Sequence, residues 1–131
     1  MEKLSFRDMR KIAKRYGAKL IYCKDNGLKD GGASTNDIIW IYPSVKQLIK
    51  EISFWHELGH IINRQESIKS NRNYCMSTLS SEGCAWEIGL IEAAKHGRKW
   101  GYNSEQLRWA RKQLASYVGG EYDDLVYNKE G

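Results

Sequence analysis

The chain has 131 residues, 41% of them hydrophobic and 28% charged, with five tryptophans and eight tyrosines. This length and composition predict one domain with a well-developed core, and no apolar run approaches the ~20 residues that a membrane-spanning helix needs. The first residues are basic but are not followed by the apolar segment of a secretory signal, so we expect a cytoplasmic protein.

The net charge of +5 comes from one end of the chain. Residues 1–20 carry seven basic and two acidic side chains, whereas the other 111 residues carry fourteen of each. A basic helix of this kind either meets phosphates or an acidic partner or is simply a solvated face. The second interpretation is favoured, and nucleic acid is not expected as a partner.

The N-terminal third of the chain predicts a helix followed by strands. Ser5 is placed to cap a first helix, which Gly17 ends. The apolar runs over residues 18–25 and 36–43 are typical of strands, and the segment between them is rich in turn residues. We therefore expect a small antiparallel sheet of two or three strands, with a short third strand near residues 32–35.

The second helix is predicted to begin with a capping box formed by Ser44 and Gln47. Its apolar positions keep helical spacing to about Asn63. The following segment, residues 64–80, is polar and aperiodic, which indicates a loop.

Two further helices complete the predicted α+β domain. One covers residues 81–96, and the next begins with a capping box of Asn103 and Gln106 and continues to Val118. The acidic residues 121–131 are expected to form a mobile tail.

The three cysteines are Cys23, Cys75 and Cys84. Their number is odd and their spacing contains no C-x-x-C pair. Free thiols in a reducing compartment are therefore expected.

The second helix contains the sequence His56-Glu57-Leu58-Gly59-His60, an H-E-x-x-H pattern. Histidines four residues apart project from one side of a helix, here the side predicted to face inward. Glu57 between them is offset, so that it misses a bound metal but reaches a water molecule beside it and can act as base and acid. The alternative interpretation is a pair of core histidines with no metal. The glutamate between the two histidines disfavours this interpretation.

A hydrolytic zinc site needs a third protein ligand and an open position. Glu82 shares one face of its helix with the small residues Ala85 and Gly89, so that face can pack closely onto the histidine-bearing helix. Glu87 is the second choice, although it points well away from Glu82 on an ideal helix. His96, at the end of the same helix, is a further alternative.

The H-E-L-G-H sequence, followed 22 residues later by the E-x-x-A sequence that starts at Glu82, resembles the ImmA/IrrE-type family of small intracellular zinc metallopeptidases. The similarity extends over about residues 5–95. It implies a zincin-like fold, one zinc ion held by His56, His60 and Glu82, and Glu57 as the catalytic base and acid. Trp86 departs from the family pattern, which has Asn or Asp there, a residue suited to orienting a ligand.

Members of this family typically occur in bacteria, phages and mobile elements, where some cleave a helix-turn-helix repressor. The resemblance therefore implies an endopeptidase that makes limited cuts in a protein partner such as a transcriptional repressor. Because of Trp86, a catalytically inactive, zinc-stabilised binding module is the alternative. Tyr74 is a candidate for stabilising the transition state.

Overall fold

The computed structural model describes residues 1–22, 32–35, 37–42, 46–70 and 78–117. In chain order these residues form α1 (Phe6–Arg15), β1 (Lys19–Tyr22), β2 (Gly32–Thr35), β3 (Ile38–Ile41), α2 (Gln47–Lys69), α3 (Thr78–Lys95) and α4 (Glu105–Ala115). The expected α+β class is confirmed. Among the helices so described, none has the length and apolar character needed to cross a membrane.

The three strands form one mixed sheet in the order β1-β3-β2. The predicted short strand at residues 32–35 is confirmed, and it pairs antiparallel with β3. The expectation of a wholly antiparallel sheet is wrong, because β1 pairs parallel with β3, with Leu20 opposite Ile39. The two-residue connection between β2 and β3 makes these two strands the hairpin. Strand β1 therefore takes the other edge of β3, where no hairpin turn fixes its direction as antiparallel.

Helix α1 follows the prediction. The Ser5 hydroxyl accepts a hydrogen bond from the Asp8 main-chain N–H at 3.0 Å, and Gly17 follows the helix with φ +73°. Met9 and Ile12 are buried beneath it. All seven basic side chains of the first 20 residues are exposed, which both interpretations of this basic segment require.

Helix α2 differs from the prediction at both ends. It begins at Gln47 with Lys46 as N-cap and without a side-chain capping bond; Ser44, the expected cap, lies outside the described residues. At the other end it continues to Lys69, six residues beyond the expected Asn63.

The polar side chains in the extension of α2 make local and tertiary hydrogen bonds. The Ser67 hydroxyl donates to the Asn63 carbonyl oxygen at 2.9 Å. The Gln65 amide donates to the Tyr16 carbonyl oxygen at 2.8 Å and so ties this turn to the end of α1. The lack of apolar periodicity therefore did not indicate a loop here.

The last two helices lie where they were predicted, with shifted ends. Helix α3 begins at Thr78 rather than at residue 81, and Gly97 follows it with φ +75°. The cap of α4 is Ser104 and not Asn103, because the Ser104 hydroxyl accepts from the Leu107 main-chain N–H at 3.2 Å.

Some expectations for the C-terminal part and for the thiols lie outside the described residues. Helix α4 ends at Ala115, while Val118 and the expected tail over residues 121–131 are among the residues not described. Cys84 is a free thiol; the other two cysteines are not described.

Helix α2 lies at the centre of the molecule, with buried clusters on both sides. On the sheet side, Phe54, Trp55 and Leu58 pack with residues of α1, β1 and β3. On the other side, Ile49 and Ile52 pack with residues of α3 and α4. Every residue from 51 to 59 is consequently buried, and the H-E-x-x-H pattern lies in the interior of the protein.

Candidate metal centre

His56 and His60 lie side by side on α2. Their rings meet edge to face, with centroids 4.7 Å apart. The His56 side chain is 10% exposed and that of His60 22% exposed, so the pair opens to solvent on the His60 side.

Glu82 of α3 reaches both histidines. Its Oε2 lies 2.7 Å from Nε2 of His56 and 3.0 Å from Nε2 of His60. The three residues form a group whose potential ligand atoms all lie within 4.8 Å of one another. Two consecutive turns of α2 and the start of α3 thus supply one compact set of donors.

Glycines allow the backbones of α2 and α3 to approach closely enough for this contact. A Cβ atom at Gly59 would overlap the carbonyl oxygen of Ala85, and one at Gly89 would overlap the carbonyl oxygen of Trp55. The small-residue face of α3 therefore packs against α2, as the sequence led us to expect. Glu82, one turn before Ala85, is carried by this packing to the histidines.

The donor set fits a zinc ion. Two imidazole nitrogens and one carboxylate oxygen are zinc ligands, and three protein ligands leave one position of a tetrahedron open. Ligands about 2.0–2.1 Å from zinc at tetrahedral angles lie about 3.3 Å from one another. The observed 2.7 and 3.0 Å separations therefore need only a small outward shift of the side chains.

The alternative ligands lie elsewhere. Glu87 is exposed on α3. The ring of His96 packs against Trp55 with centroids 5.3 Å apart, and its Nδ1 lies 2.9 Å from the carbonyl oxygen of Glu92. Within the described part of the chain, His56, His60 and Glu82 form the only such group of potential ligands.

Glu57 lies beside the three potential ligands without belonging to them. Its Oε2 is 3.9 Å from Nε2 of His56, and its side chain is 8% exposed. The Ser34 hydroxyl of β2 donates a hydrogen bond of 2.8 Å to the other carboxylate oxygen. Strand β2 thus orients Glu57, a contact across 23 residues that no local sequence pattern indicated.

The pKa values of Glu82 and His60 are shifted in opposite directions. Burial alone would raise the pKa of Glu82, but hydrogen bonds from His56 and His60 outweigh it and lower that pKa well below its usual range. Burial opposes the charged form of His60, yet the hydrogen bond to Glu82 and the nearby carboxylate charges raise its pKa above the ordinary value. The site therefore has a strong preference for positive charge, whether a proton or a metal ion.

Tyr117, directly after α4, is a site residue that the sequence did not reveal. Burial, the charge of Glu82, a hydrogen bond to Glu82 and the charge of Glu57 together raise the pKa of the Tyr117 hydroxyl to about 12. The residue is 46% exposed, so it lies at the mouth of the site. It is one of eight tyrosines, and nothing in its sequence context distinguishes it; Tyr74 lies outside the described residues.

Trp86 covers the His56 ring. The two rings are stacked, with centroids 4.1 Å apart and planes at 23°. Nδ1 of His56 is buried and has no hydrogen-bond partner among the described residues. Among the described residues, the His56 ring is therefore contacted by an aromatic face and not by the hydrogen-bond acceptor that ordinarily orients a metal-binding histidine.

No family model, no curated protein and no solved structure matches this chain. The resemblance to ImmA/IrrE-type peptidases consequently rests on the motif residues and on the order of the elements around them.

Proposed function

We propose that this protein is a cytoplasmic zinc-dependent endopeptidase that makes limited cuts in a protein partner. The observation that carries the proposal is the convergence of His56, His60 and Glu82 beside the carboxylate of Glu57. Glu82 alone would provide hydrogen-bond partners for a pair of core histidines, so the further carboxylate of Glu57 beside them is what favours a catalytic site over a purely structural one.

Each side chain has a distinct part in the proposed reaction. A zinc ion, when bound, would supply Lewis-acid chemistry that makes water acidic and polarises a carbonyl group. Glu57, held by Ser34, takes the proton of the attacking water and passes it to the leaving amine. Tyr117, a hydroxyl donor near both Glu82 and Glu57, is our candidate for stabilising the negative charge that develops on the carbonyl oxygen.

The proposed substrate class follows from the resemblance. ImmA/IrrE-type peptidases include enzymes that cleave helix-turn-helix repressors, so a transcriptional repressor of a phage or mobile element is the partner that we propose. The exposure of His60 and Tyr117 supports access of a polypeptide from one side.

A peptide library tests the proposal. The zinc-loaded protein is incubated with peptides from a digested bacterial proteome, and new termini are counted by mass spectrometry. Glu57→Gln should keep zinc and lose cleavage, whereas Glu82→Gln should lose both. The charge-matched variant Glu87→Gln, changed at an exposed position of α3, should retain both. Cleavage by Glu57→Gln at the rate of the unmodified protein would exclude the role of Glu57.

A zinc-stabilised binding module without turnover is the second candidate. The buried Nδ1 of His56, which lacks a hydrogen-bond acceptor within the described residues, favours it, because such an acceptor ordinarily raises the basicity of a ligating imidazole and its loss lowers activity. This alternative predicts zinc binding, no new peptide termini, and partner binding that survives Glu57→Gln.

A further inference from the structure

Trp86 lies at the junction of α3, α4 and the metal centre. It follows Glu82 by four residues, so both project from the same side of α3. It is 6% exposed, and the flat face of its ring lies on the His56 imidazole. One face of α3 thus carries the potential ligand Glu82 and, one turn later, the Trp86 ring that covers the potential ligand His56.

The Trp86 ring is itself held in place. Trp109 of α4 meets it edge-on, with centroids 6.0 Å apart and planes at 78°. Ile49, Ile52 and Ala110 belong to the same buried cluster. Because Trp86 is enclosed on these sides, it cannot turn away without disturbing α4, and the His56 ring on its face is restricted as well.

None of the described residues supplies the usual means of orienting His56. A ligating histidine almost always donates its second N–H to a carboxylate, a carbonyl oxygen or water, and this bond sets the plane of the ring. Within the described chain, Nδ1 of His56 has no such partner. An imidazole bound to a cation is electron-poor, and the electron-rich face of an indole attracts it.

We propose that Trp86 is a positioning residue that orients the metal ligand His56 by ring stacking, with Trp109 of α4 as its support. The inference rests on the metal-binding part of the proposed function. According to this proposal, α4 supports the metal centre indirectly. Trp109 of α4 holds the Trp86 ring in place, and the Trp86 ring orients His56.

Zinc affinity, measured by competition with a chromophoric chelator, tests the role. Trp86→Leu should weaken zinc binding by about 10–100-fold, the usual effect of losing an orienting partner. Trp86→Phe retains an aromatic face and should recover most of that loss. Trp100→Leu is the matched control, since Trp100 packs against the same cluster but not on His56; it should lower the melting temperature and leave zinc affinity unchanged.

Cobalt(II) provides a readout that a purely structural role would not move. In the unmodified protein, cobalt should quench tryptophan fluorescence, and Trp86→Phe should keep the visible cobalt spectrum because it retains an aromatic face on His56. Trp86→Leu should alter that spectrum. Far-UV circular dichroism identifies any variant that fails to fold.

The outcomes separate the two claims. Zinc binding by Trp86→Leu as tight as that of the unmodified protein, or an equal loss in Trp100→Leu, would overturn the positioning role alone. An unmodified protein that binds no zinc would overturn the metal centre, and with it the role of Trp86.

Discussion

A Cβ atom at Gly59 would overlap the main-chain carbonyl oxygen of Ala85. Gly89 is related in the same way to the carbonyl oxygen of Trp55, so α2 and α3 are in backbone contact at two points one helical turn apart on each helix. This contact places Glu82 within hydrogen-bond distance of His56 and His60. The proposed metal centre therefore depends on two glycines as much as on the three side chains that would bind the ion.

Gly59→Ala should separate the two helices. Alanine gains about 1 kcal/mol of helix propensity over glycine, but the overlap is with backbone, which cannot move aside as a side chain can. We expect a net destabilisation of about 1–3 kcal/mol and a clear loss of zinc affinity, measured by urea denaturation and chelator competition.

Gly83→Ala is the matched control for this variant. A Cβ atom at Gly83, which lies in α3 near its packed face, meets nothing within 4 Å. This variant should be more stable by up to about 1 kcal/mol and should bind zinc normally. If Gly59→Ala behaves in the same way as Gly83→Ala, the close approach of the helices does not hold the centre together.

Ser34→Ala removes the hydroxyl that holds Glu57. A hydrogen bond to a charged group contributes about 1.5–3 kcal/mol, so peptide cleavage should fall by about tenfold or more. Zinc affinity should stay unchanged, because Ser34 contacts Glu57 and not a ligand. Ser34→Thr keeps a hydroxyl and should retain most of the activity. Full activity in Ser34→Ala would show that Glu57 needs no support from β2.

The buried ion pair of Glu51 and Arg98 tests stability away from the site. Arg98 Nε donates to Glu51 at 2.8 Å, and the two side chains are 11–13% exposed. Arg98→Met leaves the Glu51 charge buried and uncompensated, which should cost about 3–5 kcal/mol of unfolding free energy.

The comparison for this ion pair is Lys46→Met. Lys46 and Glu105 form a 3.4 Å ion pair with side chains 76% and 49% exposed, and its loss should cost no more than about 1 kcal/mol. Equal effects of the two substitutions in urea denaturation would contradict the structural role of Glu51.

The contact between Tyr16 and Glu92 should make part of the free energy of unfolding depend on pH. Burial alone would raise the pKa of Glu92, but hydrogen bonds from Tyr16 and Lys95 outweigh it and lower the pKa below its ordinary value. Such a group stabilises the fold above its unfolded pKa of about 4.3, and the stabilisation is lost as pH falls through the lower, folded pKa.

Tyr16→Phe should therefore lower the unfolding free energy at neutral pH by about 1 kcal/mol and by less at acidic pH. Urea denaturation between pH 3 and 7 measures this difference, and Glu92→Gln serves as control because it should remove the pH dependence of the Tyr16→Phe effect. An effect of Tyr16→Phe that is the same at every pH would mean that Glu92 is not the group involved.

The parts that the sequence predicted depend on local geometry. Histidines at positions i and i+4 must share a helix face, and glutamate near small residues on an α-helix can lie close to a packed neighbour. These two rules were sufficient to predict that His56, His60 and Glu82 lie close together. Ser5 and Gly17 likewise marked the ends of α1 through capping chemistry.

The parts that it did not predict depend on contacts between distant segments. The parallel pairing of β1 and β3 depends on the order and direction of the strands in the sheet. The amino-acid composition of a strand does not determine that order or direction. Ser34 reaches Glu57, and Tyr117 reaches Glu82, only through the tertiary fold. The Trp86 ring was visible in sequence as a departure from a family pattern, but its stacking on His56 was not.

The most direct test of the metal centre is a crystal structure of the zinc-loaded protein with anomalous diffraction measured at the zinc edge. We expect one anomalous peak per chain, bonded to Nε2 of His56, Nε2 of His60 and a carboxylate oxygen of Glu82, with a fourth position left for water or substrate. A zinc peak bound by other residues, or none at these three in zinc-saturated crystals, would contradict the account.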